Sequence, residues 1–94
     1  MTYKYIYDEQ KDLKLKEERG LCFDEVITAI SNEQVLDIIP HYNKKDYPNQ
    51  KILIIEINDY VYLVPYLEED DLLILKTVIP SRKFTKLYLG EKKS

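Results

Sequence analysis

The sequence predicts an α+β fold: a short N-terminal strand, then two helices packed on a mainly antiparallel, twisted sheet. Three observations carry this. A sustained run of apolar residues at helical spacing, Phe23, Val26, Ile27 and Ile30, precedes Asn32. Aliphatic and aromatic strand segments fill the chain after Gln34. Those segments follow one another without the helical crossovers that parallel strands require. Ninety-four residues, 45% hydrophobic and 33% charged, suit one domain over 1–94 with a modest core.

Tyr3–Tyr7 reads as a strand, since alternating tyrosines suit a pleated, half-buried surface. Asp8 is placed to cap a polar surface helix over Glu9–Arg19, and Gly20 stands where a helix needs a left-handed residue after its end. A second helix is expected over Phe23–Asn32, with Phe23, Val26, Ile27 and Ile30 on one face. Cys22 and Glu25 form a capping box with sulfur in place of oxygen, so the cap should be weak.

Val35–Ile39 is a strand stopped by Pro40, and His41–Gln50 is a polar loop. Strands follow at Ile52–Ile57, Tyr60–Tyr66 and Leu72–Ile79, and Ser81–Leu89 forms a short terminal helix or turn. The turn at Asn58-Asp59 leaves two registers open. A two-residue turn pairs Ile57 with Tyr60, whereas a three-residue loop pairs Ile57 with Val61 and turns the tyrosines to the other face. The second gives the cleaner apolar face (Leu53, Ile55, Ile57, Val61, Leu63, Leu73, Leu75, Ile79) and is the register expected. Pro65 lacks a donor and places its strand near an edge or a bulge. The expected core contains Phe23, Val26, Ile27, Ile30, Leu53, Ile55, Leu63 and Leu75.

No aliphatic run exceeds four residues, which excludes a membrane-spanning helix, and the first residues carry no apolar signal segment. A lone cysteine fits a reducing cytoplasm. The net charge of −3 is unevenly spread. Residues 68–75 carry −4 through Glu68-Glu69-Asp70-Asp71. Residues 76–94 carry +5, from Lys76, Arg82, Lys83, Lys86, Lys92 and Lys93 against Glu91. An acidic body with a basic end allows a local cationic patch.

There is no Gly-rich phosphate loop, no zinc-ligand pattern and no nucleophile elbow, so no metal and no cofactor is expected. His41 is the only histidine, and it lies in a polar loop after a strand. A loop histidine is most often simply solvated, yet it is also the side chain that titrates nearest neutral pH. Nine tyrosines could stack on bases or anchor a protein interface, although β-propensity accounts for most of them.

Three segments carry a family resemblance. Tyr7-Asp8 closes the first strand with an aromatic–Asp pair, and residues 18–26 read Glu-Arg-Gly-Leu-Cys-Phe-Asp-Glu-Val. Ile79-Pro80-Ser81-Arg82-Lys83-Phe84-Thr85 lies within the basic end. In order and spacing these resemble BrnT-type toxins of bacterial type II toxin–antitoxin modules, within the RelE-like ribonuclease superfamily. That family shows a K-H-G-x-S-F-E-E-A type segment and an I-S-A-R-K-A-T type segment. Arg19 stands where the family often has His, and Cys22 where it has Ser.

The resemblance implies a RelE/BrnT-like fold and a cytoplasmic toxin. It implies a metal-independent endoribonuclease that cleaves RNA and inhibits translation. Its partner would be a cognate antitoxin, a small DNA-binding protein. In such chemistry a ribose 2′-OH attacks the neighbouring phosphate while cations offset the charge that builds there. Arg82 is the expected catalytic cation, because its guanidinium grips phosphate through two parallel hydrogen bonds at any working pH. His41, or else Tyr88, is the candidate for proton transfer. Lys83, Lys51, Lys86 and Ser81 are the candidate substrate-binding residues. The competing expectation for Arg82 is a plain ion pair with Glu68–Asp71 or with a carboxylate of the first helix. The competing function is a non-catalytic interaction domain, either an inactive relative or a gyrase-inhibiting RelE-like fold.

Overall fold

The computed structural model describes residues 4–90 and is α+β. In chain order it contains β1 (Lys4–Ile6), α1 (Glu9–Arg19), α2 (Phe23–Ser31), β2 (Val35–Pro40), β3 (Lys51–Ile57) and β4 (Tyr60–Glu69). These are followed by β5 (Leu72–Leu75), β6 (Ile79–Pro80) and α3 (Arg82–Leu89). Tyr3, Glu91, Lys92 and Lys93, read above as part of a strand and of the basic end, lie outside the described residues.

Local chemistry sets the helix ends. Asp8 caps α1 by accepting the Gln10 N–H at 2.8 Å. Gly20 ends α1 with φ at +66°, the left-handed conformation that a Cβ disfavours. Glu25 accepts the Cys22 N–H at 3.2 Å, the carboxylate half of the expected capping box. Asp12 joins the two helices by accepting the Phe23 N–H at 2.8 Å. Tyr7 stacks on Phe23 with ring centres 4.8 Å apart, seating the first strand against α2.

The sheet runs β1-β5-β4-β3-β2, with β6 on β4 beyond the end of β5. Only the β1–β5 pair is parallel, so the sheet is mainly antiparallel as expected. The expected register of the β3–β4 hairpin is corrected. Ile57 pairs with Tyr60 and Ile55 with Tyr62, across a two-residue turn. Asn58 and Asp59 both adopt left-handed backbone, at φ +54° and +64°, which suits the twist of a tight hairpin.

This register separates the residues expected on one face. Leu53, Ile55 and Ile57 join Val64, Tyr66, Leu73 and Leu75 beneath α1 and α2, with Phe23, Val26 and Ala29 from α2. Val61 and Leu63 instead join Ile52 and Ile54 on the opposite face, where Phe84, Tyr88 and Leu89 of α3 cover them. Ile79 is exposed rather than part of an apolar face. Ile27 and Ile30 are half-buried against the first cluster.

The strand expected over Leu72–Ile79 is interrupted between Leu75 and Ile79. Pro65 explains the place of the break. It sits on β4 opposite the break, with no N–H to offer a neighbour, and its carbonyl accepts the Lys76 N–H at 2.8 Å. Among the described residues, no helix is long and apolar enough to cross a membrane.

Candidate functional site

The chain leaves β6 and turns at once into α3, which lies across the sheet. Ser81 is the hinge of that turn. Its N–H donates to the Val61 carbonyl at 3.0 Å, and its Oγ caps the helix by accepting the Phe84 N–H at 3.1 Å. Thr85, one turn on, closes the junction. Its Oγ1 accepts the Val61 N–H at 2.9 Å and donates to the Ser81 carbonyl at 2.6 Å.

Arg82 and Lys83 open α3 with both side chains exposed, and Lys86 is exposed one turn later. Cations in a first turn oppose the helix dipole, at a cost of about 0.3–1 kcal/mol each. No acidic residue occupies that turn. Among the described residues, Arg82 meets no carboxylate, and Glu68–Asp71, of which Glu68 and Glu69 belong to β4 and only Asp70 and Asp71 form the turn, lie at the other end of that strand. The plain ion pair considered above for Arg82 therefore does not form among these residues.

Tyr88, on the same helix, donates its hydroxyl to Asp37 Oδ2 of β2 at 3.1 Å. Burial, then this hydrogen bond and the Asp37 charge, raise the Tyr88 pKa above the ordinary phenol value. Tyr88 thus holds its proton more tightly than a free tyrosine, the opposite of what a base requires.

His41 has a different setting. It follows β2, and its N–H donates to the Gln50 carbonyl at 3.2 Å. The imidazole lies between the Tyr42 and Tyr47 rings, each 4.7 Å from it centre to centre, and is only 6% exposed. The Asn43 N–H donates to Nδ1 at 3.0 Å, so Nδ1 is the acceptor and Nε2 carries the proton of the neutral ring. Nε2 has no hydrogen-bond partner among the described residues and is not sealed from solvent. In this tautomer His41 offers a hydrogen bond through Nε2–H.

Arg82 and His41 line different places. Ser81 is anchored at Val61 near the start of β4, whereas the depression that holds His41 is lined by Pro65 and Ile79, and Arg82 is not part of its lining. Lys51 begins β3 next to Gln50 and is exposed, but it lies beside Ile38 and Glu68, away from α3. Ser81, Arg82, Lys83 and Lys86 therefore form one cationic group, while His41 belongs to another place.

That second place includes residues the sequence reading did not single out. A depression of about 490 Å³ holds His41, Tyr42 and Tyr47 together with Lys11 of α1 and Lys76. Lys11 Nζ donates to the Lys76 carbonyl at 3.1 Å, across 65 positions of sequence. The tyrosines flanking His41 were a visible signal, but the two lysines meet only through the tertiary fold. Among the described residues, no cluster of three or more His, Cys, Asp or Glu side chains is placed to hold a metal ion. Comparison with family models, with curated proteins and with solved structures finds no match to this chain.

Proposed function

We propose that the chain is a cytoplasmic RNA-cleaving toxin of the BrnT type, within the RelE-like superfamily, held silent by a small DNA-binding antitoxin. The observation that carries this reading is the first turn of α3. Arg82 and Lys83 stand exposed against the helix dipole, with no acidic residue in that turn. An arrangement that costs stability is accounted for when a phosphate completes it. Arg82 supplies the forked donor that orients a phosphate and offsets the charge developing on it, and Lys83 and Lys86 add point charges beside it. Attack by the neighbouring ribose 2′-OH needs no metal, only alignment of that oxygen with the phosphate.

The test is induced expression of the parent and of Arg82→Ala, reading growth, translation and RNA integrity. The parent should arrest translation and leave cleaved RNA. Loss of a charge partner in the transition state typically costs 10²–10³ in rate, so Arg82→Ala should be harmless, with Arg82→Lys intermediate. Its melting temperature should match the parent's, because an exposed side chain away from packing contributes within about 0.5 kcal/mol. A parent that expresses without effect on growth or RNA, or an Arg82→Ala protein that cleaves as well as the parent, overturns the reading.

A further inference from the structure

The His41 depression has the composition of a ligand site distinct from the α3 cations. His41 is only 6% exposed, yet its Nε2–H opens to solvent and has no protein partner among the described residues. A donor whose ring is held by the Asn43 N–H and flanked by two tyrosine rings is already oriented for an acceptor. Lys76 and Lys11 stand on the same depression, and no carboxylate lines it. Tyr42 is 73% exposed at its mouth, a large aromatic surface left open to solvent. A second depression adjoins this one, sharing Lys11, Thr77 and Ile79 and adding Lys14, Arg19 and one carboxylate, Glu18, with Pro80 also in its lining. A groove in which cations outnumber the one carboxylate, with an exposed aromatic ring beside it, matches the way single-stranded nucleic acid is held. The backbone tracks the charge and a base stacks on the ring.

We propose that this groove binds single-stranded RNA, with one base on Tyr42 and a phosphate oxygen on His41 Nε2–H and Lys76. The preference for RNA over DNA rests on the toxin reading above; the single-strand groove does not. A duplex is disfavoured because its bases are stacked internally and cannot reach Tyr42.

The experiment is fluorescence anisotropy of a short labelled oligouridylate with the full chain, repeated over a range of salt. The same measurement is made with the matching oligodeoxyuridylate and with an RNA duplex of equal length. Tyr42→Ala should weaken binding about 5- to 150-fold, the usual loss for one stacked base. Lys76→Gln should lower the slope of log affinity against log salt by about 0.7, the loss of one phosphate contact. Both residues have exposed or half-exposed side chains, so these variants should melt with the parent, and His41→Gln need not fold for the test to be read.

The inference is overturned if the parent does not bind the single strand at low salt, if both variants bind as the parent does, or if the duplex binds equally. Equal binding of the DNA strand overturns the RNA preference alone. Arg82→Ala separates the two readings. If groove binding persists while the parent neither cleaves RNA nor arrests growth, the toxin reading fails and the binding site stands. If cleavage occurs and groove variants leave RNA binding unchanged, the reverse holds.

Discussion

Replacing Thr85 by Val should loosen the hold on the helix that carries Arg82. Val61 is fully buried, and its N–H has the Thr85 hydroxyl as acceptor at 2.9 Å. The same hydroxyl donates its hydrogen to the Ser81 carbonyl oxygen at 2.6 Å. Valine keeps the shape of threonine and removes both bonds. The buried N–H would then have no partner, which costs about 1–3 kcal/mol. Helix propensities of Val and Thr are close, so the cost is not a helix-propensity effect. For a domain of this size each kcal/mol lowers the melting temperature by about 4–8 °C. Thermal unfolding followed by circular dichroism should therefore show a fall of at least about 4 °C for Thr85→Val, with Thr85→Ser falling less because it restores the hydroxyl. Equal melting of Thr85→Val and the parent would refute this account of how α3 is fixed. It would also remove the structural explanation of the Thr in the segment 79–85.

Two further outcomes follow from single sites. Gly20→Ala should lower stability by about 1–2 kcal/mol, measured by urea unfolding, because φ at +66° strains any Cβ even with open space around it; an unchanged urea midpoint would show that the helix end relaxes. Tyr88→Phe should soften alkaline unfolding. The folded protein raises the Tyr88 pKa through burial and then Asp37, so its contribution is whole below the unfolded phenol value near 10 and is lost as pH rises beyond it. Tyr7, raised first by the Asp24 charge, and Tyr62, raised first by burial, act in the same direction, so the variant should lessen the alkaline loss without abolishing it. A parent and a Tyr88→Phe protein with the same stability curve above pH 10 would contradict this.

The helices were legible because their signals are local. Asp8, Gly20 and the Phe23–Val26–Ile27–Ile30 spacing act within a turn or two, and the ends of α1 fall where those residues place them. The hairpin register was not legible, for a reason visible in Ile52–Ile55. All four residues are buried, because α1 and α2 cover one face of the sheet and α3 covers the other. A strand buried on both faces loses the alternation that marks an inner side, as strands of parallel sheets do. Choosing the register with the cleanest single apolar face assumed that α3 covers nothing. The better signal was the turn itself, since Asn and Asp accept the left-handed backbone that a two-residue hairpin needs. Arg82 was legible as a site candidate because it follows directly on the last strand. Lys11 and Lys76 were not, since nothing local ties α1 to the break opposite Pro65.

An acidic net charge and an RNA-facing role are compatible on the distances in this fold. Half of the negative excess, −4, lies in Glu68–Asp71, at the end of β4 and in the β4–β5 turn; the other half is spread over residues 1–40. Ser81 is anchored at Val61, near the start of β4, and eight residues of strand separate Val61 from Glu69. That is about 27 Å, more than three Debye lengths at physiological ionic strength, where the length is about 8 Å. The acidic end of β4 therefore contributes only weakly to the field that a phosphate meets at Arg82. Lowering the salt lengthens the screening distance and brings the turn into play. Binding at α3 should thus strengthen on dilution less steeply than the count of its cations alone would give. Replacing Glu69, Asp70 and Asp71 by their amides should steepen that dependence and leave affinity at physiological salt nearly unchanged. A large gain in affinity at physiological salt would mean that the acidic turn reaches the RNA directly, and that the separation along β4 does not protect the site.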